Sequence, residues 1–222
     1  MSSRTIEAIL TTERLHGNKS SLTREKLLGH FEGIENMRVN YLNLTENKPS
    51  HNPYKHGVQI VKYALNIAKE LHLPEGEAIA ISCAARFHDI GKIKIDYNIL
   101  NKPDKLNDEE YEKIKMHSVF GYDLMIPYTY IGTLIKHHHE RFDGSGYPKG
   151  LKGNEIPLGS RIISVIDAFN AMTHKRPYNK PINLEDAMNE LEKNTGTQFD
   201  PEIVKIFLSI LFKEKNNIKR NI

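Results

Sequence analysis

The chain has 222 residues, enough for one domain with a sizeable core and a short appendage but not comfortably for two. Its formal charge is +3 with histidines neutral, and its basic residues are scattered; this argues against a nucleic acid polymer and leaves room for a small anionic ligand. The single cysteine, Cys83, excludes an intramolecular disulfide and a zinc–thiolate cluster. With no charged-then-apolar leader and no apolar run near the roughly 20 residues of a membrane span, a cytoplasmic protein without a membrane partner is expected.

Periodicity reads helical along the whole chain, with no run of alternating strand residues, so the expected fold class is all-α. Helices are predicted over 5–15 and 23–42, separated by the polar breaker His16-Gly17-Asn18-Lys19-Ser20. A loop over 47–53, punctuated by Pro49 and Pro53, precedes a helix over 54–71 with Val58, Val61, Leu65, Ile67, Ala68 and Leu71 as its apolar stripe. The next helix, over 77–88, contains Cys83 as a core thiol and is stopped by Gly91. Asn107 is an N-cap, with Asp108, Glu109 and Glu110 favouring the helix dipole, and its helix carries Tyr111, Ile114, His117 and Leu124. A short helix over 130–140 ends in histidines. Residues 141–157, rich in glycine and proline, form a long structured loop, and 158–173 is a strongly apolar helix. Asn183 caps a helix ending near Gly196, and Asp200-Pro201 starts the last one, with proline at its first position. The expected organisation is a helical N-terminal extension over 1–50, a main domain over 51–213 and a short basic tail over 214–222. Fifty residues are too few for a receiver-type sensory domain.

The eleven histidines are the unusual feature. His88-Asp89-Ile90-Gly91-Lys92 is followed about fifty residues later by His138-His139-Glu140, and His56, His117 and Asp167 complete a set of candidate metal ligands on separate helices. Adjacent helical side chains diverge by roughly 100 degrees, so His88 and Asp89 share a target most readily where their helix ends. Asp167 is the most telling single residue. It lies within Ile162-Ile163-Ser164-Val165-Ile166-Asp167-Ala168-Phe169, otherwise fit for burial, where an unpaired carboxylate would be costly unless a cation or strong donors await it. Imidazoles and carboxylates without thiolate suit iron, manganese or zinc.

These residues carry a resemblance. His88-Asp89-Ile90-Gly91-Lys92, then His138-His139-Glu140-Arg141-Phe142-Asp143-Gly144-Ser145-Gly146-Tyr147-Pro148, resemble the HD-GYP family of cyclic di-GMP phosphodiesterases, within the HD superfamily of metal-dependent phosphohydrolases. The likeness continues through Arg161 to Asp167, through Arg176-Pro177-Tyr178 and through Gln198-Phe199-Asp200-Pro201, and covers roughly residues 52 to 208. It implies an HD-superfamily helical bundle holding two divalent metal ions, with iron or manganese preferred over zinc or magnesium. His56, His88, Asp89 and Asp167 would hold one, and Asp89 would bridge to a second held by His117, His138 and His139. Glu140 sets the register of the histidine pair, leaving His137 outside it. The implied chemistry is in-line attack on phosphorus by a metal-bridging hydroxide, with His88 and Asp89 at the catalytic centre. Lys92 would stabilise charge on the phosphate, and Arg176, Tyr147, Asp143, Gly144 and Gly146 would bind substrate.

Two positions depart from the family pattern. Asn52 stands where some members place a glutamate that helps hold a third metal, which favours two metals and pGpG over GMP as the main product. Asn170 stands where a second aspartate usually follows Asp167, which bears on substrate affinity or on hydrogen bonding to the ligands. Two other functions compete: hydrolysis of another nucleotide such as cGAMP, and a catalytically silent module that binds a cyclic dinucleotide or a GGDEF-type synthase. A homodimer is a further candidate assembly.

Overall fold

The computed structural model describes residues 3–16, 32, 36, 53–126, 128–174 and 180–220, with side chains left out at 3–6, 8, 53–58 and 217–220. Ten helices are described: α1 Ser3–Leu15, α2 Pro53–Glu70, α3 Glu75–Phe87, α4 Tyr97–Leu100, α5 Asp108–Lys115, α6 His117–Leu124, α7 Thr129–Lys136, α8 Leu158–Thr173, α9 Leu184–Lys193 and α10 Pro201–Arg220. Two 3₁₀ turns, Ile90–Lys94 and Gly153–Glu155, join them. Among the described residues there is no strand, and Thr195 and Phe199 form an isolated bridge. The protein is all-α, as its periodicity predicts. Of the expected helix over 23–42, only residues 32 and 36 are described, both helical, and the loop over 47–52 lies outside the described residues.

α3 is the hub, packed by α1, α2, α7 and α8. Its sequence suits that place. Ala80, Ala84 and Ala85 let neighbouring helices approach closely, while Ile81 and Phe87 fill the space between them. Large side chains from the surrounding helices, among them Ile67, Ile131, Ile135, Ile163 and Phe207, are fully buried in the same cluster. Each contributes about 1.5–3 kcal/mol of burial free energy before entropy is counted. Cys83 is buried, as a core thiol should be. Ile9 and Leu10 of α1 belong to this cluster too.

Several boundaries follow from caps. Asn107 and Glu110 form a reciprocal capping box at the start of α5, with Oδ1 of Asn107 accepting from the Glu110 amide at 2.8 Å. Asn183 accepts from the Asp186 amide at 2.9 Å, and Asp200 accepts from the Glu202 amide at 2.8 Å. The continuous helix expected from Asn107 through Leu124 is instead two, α5 and α6, meeting at Met116. The basic residues near the C-terminus extend α10, with Lys213 paired to Glu70 and Lys215 to Glu185, both at 3.1 Å.

Candidate metal centre

Three histidines reach the centre by one local device. His88 caps the end of α3, His117 opens α6 and His138 follows α7, each with Nδ1 against the carbonyl oxygen three residues earlier. The distances are 2.8 Å from His88 to Ala85, 2.7 Å from His117 to Ile114 and 2.6 Å from His138 to Ile135. A carbonyl oxygen only accepts, so in the neutral ring Nδ1 carries the proton and Nε2 keeps its lone pair. All three Nε2 atoms are buried and lack a hydrogen-bond partner among the described residues. One such orphan costs about 1–3 kcal/mol. Converging lone pairs beside carboxylates fit a cation.

Asp89 sits between them. It precedes the 3₁₀ turn Ile90–Lys94, with Oδ2 3.5 Å from Nε2 of His88 and Oδ1 3.5 Å from Nε2 of His117. Asp167 comes from mid-α8, its Oδ1 also 3.5 Å from Nε2 of His88. Two groups of ligand atoms lie within 4.8 Å of one another: His88, Asp89 and His138, and His117, His138 and His139. The centre therefore gathers His88, Asp89, His117, His138, His139 and Asp167 from α3, α6, α7 and α8. His56 lies on α2, but its side chain is outside the described residues, as is all of Arg176. His137 turns away, its Nδ1 3.2 Å from Glu140. Asn170, one turn beyond Asp167, is buried with its amide oxygen unpaired among the described residues.

The electrostatics agree with a cation site. Burial opposes charge on His88, but the carboxylates of Asp89 and Asp167 outweigh it and raise its pKa to about 9. Burial lowers His139 to about 3, aided by His117, and pushes His138 far down together with His139 and His88. Burial lowers His117 as well. Burial favours a protonated Asp89, yet Lys92, His88 and His117 prevail and hold it well below the ordinary carboxylate range. Asp167 is lowered by His88 against the same burial effect. Three imidazoles thus keep free lone pairs at neutral pH beside two anions.

The loop after α7 is tied to this centre. Glu140 is buried, and its carboxylate accepts from the Lys149 amide at 2.8 Å and the Leu151 amide at 3.1 Å. A Cβ on Gly146 would come within 2.2 Å of the Arg141 nitrogen and 2.6 Å of the Glu140 Cα, so the loop crosses its own chain there. That crossing brings the Tyr147 ring against His139, centroids 4.9 Å apart. Asp143 accepts from the amide and hydroxyl of Ser145, and Gly144 lies in the same exposed turn at positive φ. Lys92 donates to Oδ2 of Asp89 at 2.7 Å. The loop-anchoring role of Glu140 lies beyond what the sequence reading assigns it, which is the register of the histidine pair; an acidic residue next to that pair is the available signal.

Histidines and carboxylates converging among the helices make a cluster that could hold a metal ion. Residues 40–203 match the HD domain family. A cyclic di-GMP phosphodiesterase of Thermotoga maritima is 37% identical over 203 residues, 89% of this chain and 55% of the relative. The 3'3'-cGAMP-specific phosphodiesterase 3 of Vibrio cholerae is 34% identical over 66% of this chain and 33% of its own length. An HDG"Y"P protein from Bdellovibrio bacteriovorus superposes with a TM-score of 0.59 at 16% identity, covering 93% of this chain and 67% of that one, and shows the shared fold. The chain spans about half or less of the length of these two curated relatives. The protein belongs to the HD domain family, in its HD-GYP branch. That membership implies divalent metal ions, and the orphaned Nε2 atoms fit them.

Proposed function

We propose that this domain hydrolyses a phosphodiester bond of a cyclic dinucleotide, with cyclic di-GMP as substrate and pGpG as main product, at a centre of two divalent ions. The observation that carries this is Asp89, whose two oxygens each face a different histidine, His88 and His117, at 3.5 Å. A carboxylate so placed suits a bridge between two cations. His88 and Asp167 would serve one, joined by His56 as the family pattern implies, and His117, His138 and His139 the other. Iron or manganese is favoured by the family resemblance, and the imidazole and carboxylate donors gathered among the described residues suit either. The ions would supply an activated water and positive charge at the phosphoryl group.

The chain's own groups have separate tasks. Lys92, held by Asp89, offers its remaining donors to a phosphoryl oxygen, where charge grows during attack. Tyr147, whose ring lies against His139, would offer its hydroxyl as a donor to the phosphate. Arg176 would bind a phosphate or a guanine edge with its planar fork. Asn52 supports the two-ion stoichiometry and, with it, pGpG as end product.

The similarity to a cGAMP-specific enzyme favours a second substrate, 3'3'-cGAMP. Anaerobically purified protein, loaded with Fe(II) or Mn(II), is incubated with each dinucleotide and the products are separated over time. Metal-dependent pGpG formation from cyclic di-GMP is the expected result. Faster turnover of cGAMP would reassign the substrate, accumulation of GMP would overturn the product, and no turnover by metal-replete protein would leave a binding module.

A further inference from the structure

Beyond the metal ligands and Tyr147 lie two side chains, Tyr111 and Lys115, that the quoted family motifs do not contain. Tyr111 sits on α5 with about half of its surface exposed (49%). One turn later, Lys115 places its ammonium 4.9 Å from the Tyr111 ring centroid and 5.6 Å from that of Tyr147. Tyr147 in turn rests on His139. The group therefore continues from a metal ligand through Tyr147 and Lys115 to an exposed aromatic ring. Lys115 pairs with Glu112 at 2.5 Å, but Glu112 is itself largely exposed, and an ammonium has three donors, so two remain for a ligand.

A cyclic dinucleotide carries two phosphates on one macrocycle and a purine on each sugar. With one phosphate at the metals, the other phosphate and a base must extend past the ligand histidines. An exposed ring beside a cation has the chemistry to receive both, because bases stack on aromatic faces and ammonium groups pair with phosphates. We propose that Tyr111 and Lys115 form the outer wall of the substrate site, Tyr111 stacking on a purine and Lys115 holding the phosphate that is not cleaved. This rests on the cyclic dinucleotide substrate proposed above. It makes the pair a determinant of substrate preference, separate from the chemistry at the metals.

The test compares kcat/KM for cyclic di-GMP with that for bis(p-nitrophenyl) phosphate, which has one phosphate and no purine. The manganese-loaded chain is assayed as wild type, Tyr111→Leu, Tyr111→Phe, Lys115→Met and Lys115→Arg. The expected result is that Y111L and K115M each lower the preference for the dinucleotide about tenfold, chiefly through KM. Y111F, which keeps the ring, and K115R, which keeps the charge, retain most of it. An unmoved ratio, whether both substrates slow equally or neither does, overturns the role of the pair while leaving the substrate in place. Wild type that cleaves the model diester but no cyclic dinucleotide overturns the substrate and the pair together.

Discussion

A Cβ placed on Gly91 would come within 1.9 Å of the carbonyl oxygen of His117, so the turn after Asp89 lies directly on the first turn of α6. The contact links local sequence to the site: it sets the distance between a carboxylate from one motif and a histidine 28 positions after Asp89. The Gly121 nitrogen, at 2.5 Å from the same point, closes the other side. No side chain fits there without separating Asp89 from His117.

Gly91→Ala should therefore damage the fold and the centre together. Forcing a methyl group against backbone costs at least about 1–3 kcal/mol, because backbone has little room to give. The expected outcome is a lower melting temperature together with reduced metal per protein chain, measured by calorimetry and elemental analysis. A variant that kept both would show that α6 can shift freely from the turn.

His138 belongs to both groups of converging ligand atoms. His138→Ala removes one of the three imidazoles proposed for the second ion, and should lower that ion's occupancy and reduce turnover more than about a hundredfold, beyond what loss of an indirect partner causes. Asp167→Asn removes one anion near His88 and should weaken binding of one ion more than the other. Metal titration followed by calorimetry distinguishes them; loss of the same ion in both variants would argue against placing Asp167 and His138 on different ions.

Much of this centre is legible in the sequence because its residues violate local rules. Asp167 within an apolar helix and His88-Asp89 at a helix end both require something to compensate them, and the structure brings them together. Asn107, Asn183 and Asp200-Pro201 mark helix starts through hydrogen bonds that span two or three residues, so local sequence suffices. The break at Met116 is different. Residues on both sides have helical character, and the change of direction is set by packing of α6 against α7 and the turn at Gly91. The short helix α4 is not legible in the sequence either, since four residues carry no period.

Glu140 illustrates a role that spacing alone does not disclose. Its carboxylate collects two loop amides, at 149 and 151, across a span of nine to eleven residues. Glu140→Ala should leave those amides without an acceptor, destabilise the loop by about 2–4 kcal/mol and release Tyr147 from His139. Faster hydrogen exchange at Lys149 and Leu151, with metal content retained and turnover reduced, is expected. Unchanged exchange would mean the loop holds itself.

The histidine shifts give a pH dependence to the metal-free chain. His139 has its pKa lowered to about 3 from the ordinary 6.5, so between those values the unfolded chain binds a proton that the folded one does not. Stability is therefore lost as pH falls, by about 2 kcal/mol between pH 7 and 5 from His139 alone. His117 and His138, also lowered, act in the same direction. His88 has the opposite sign: raised to about 9, its contribution is complete below 6.5 and fades as pH rises through 9. Urea titration of chelated protein should give a midpoint that falls from pH 7 to 5 and falls again as pH rises from 7 to 9. A flat profile below pH 7 would mean that the imidazoles are solvated before unfolding.

Glu13 ties the first helix to the centre across 117 positions of sequence. It is fully buried, and its two carboxylate oxygens accept from the Tyr130 and Ile131 amides at 3.0 Å, capping the start of α7, the helix that leads into His138 and His139. Ile9 and Leu10 on the same helix are buried in the core cluster. Glu13→Ala would leave two amides of α7 without their acceptor and should cost about 2–4 kcal/mol, while Glu13→Gln, whose amide oxygen can still accept, should cost less. Chemical denaturation of both variants measures the difference. Because α7 positions the histidine pair, E13A should also weaken metal binding although Glu13 is not a ligand. A stable variant with unaltered metal affinity would show that α7 is held by its apolar face alone.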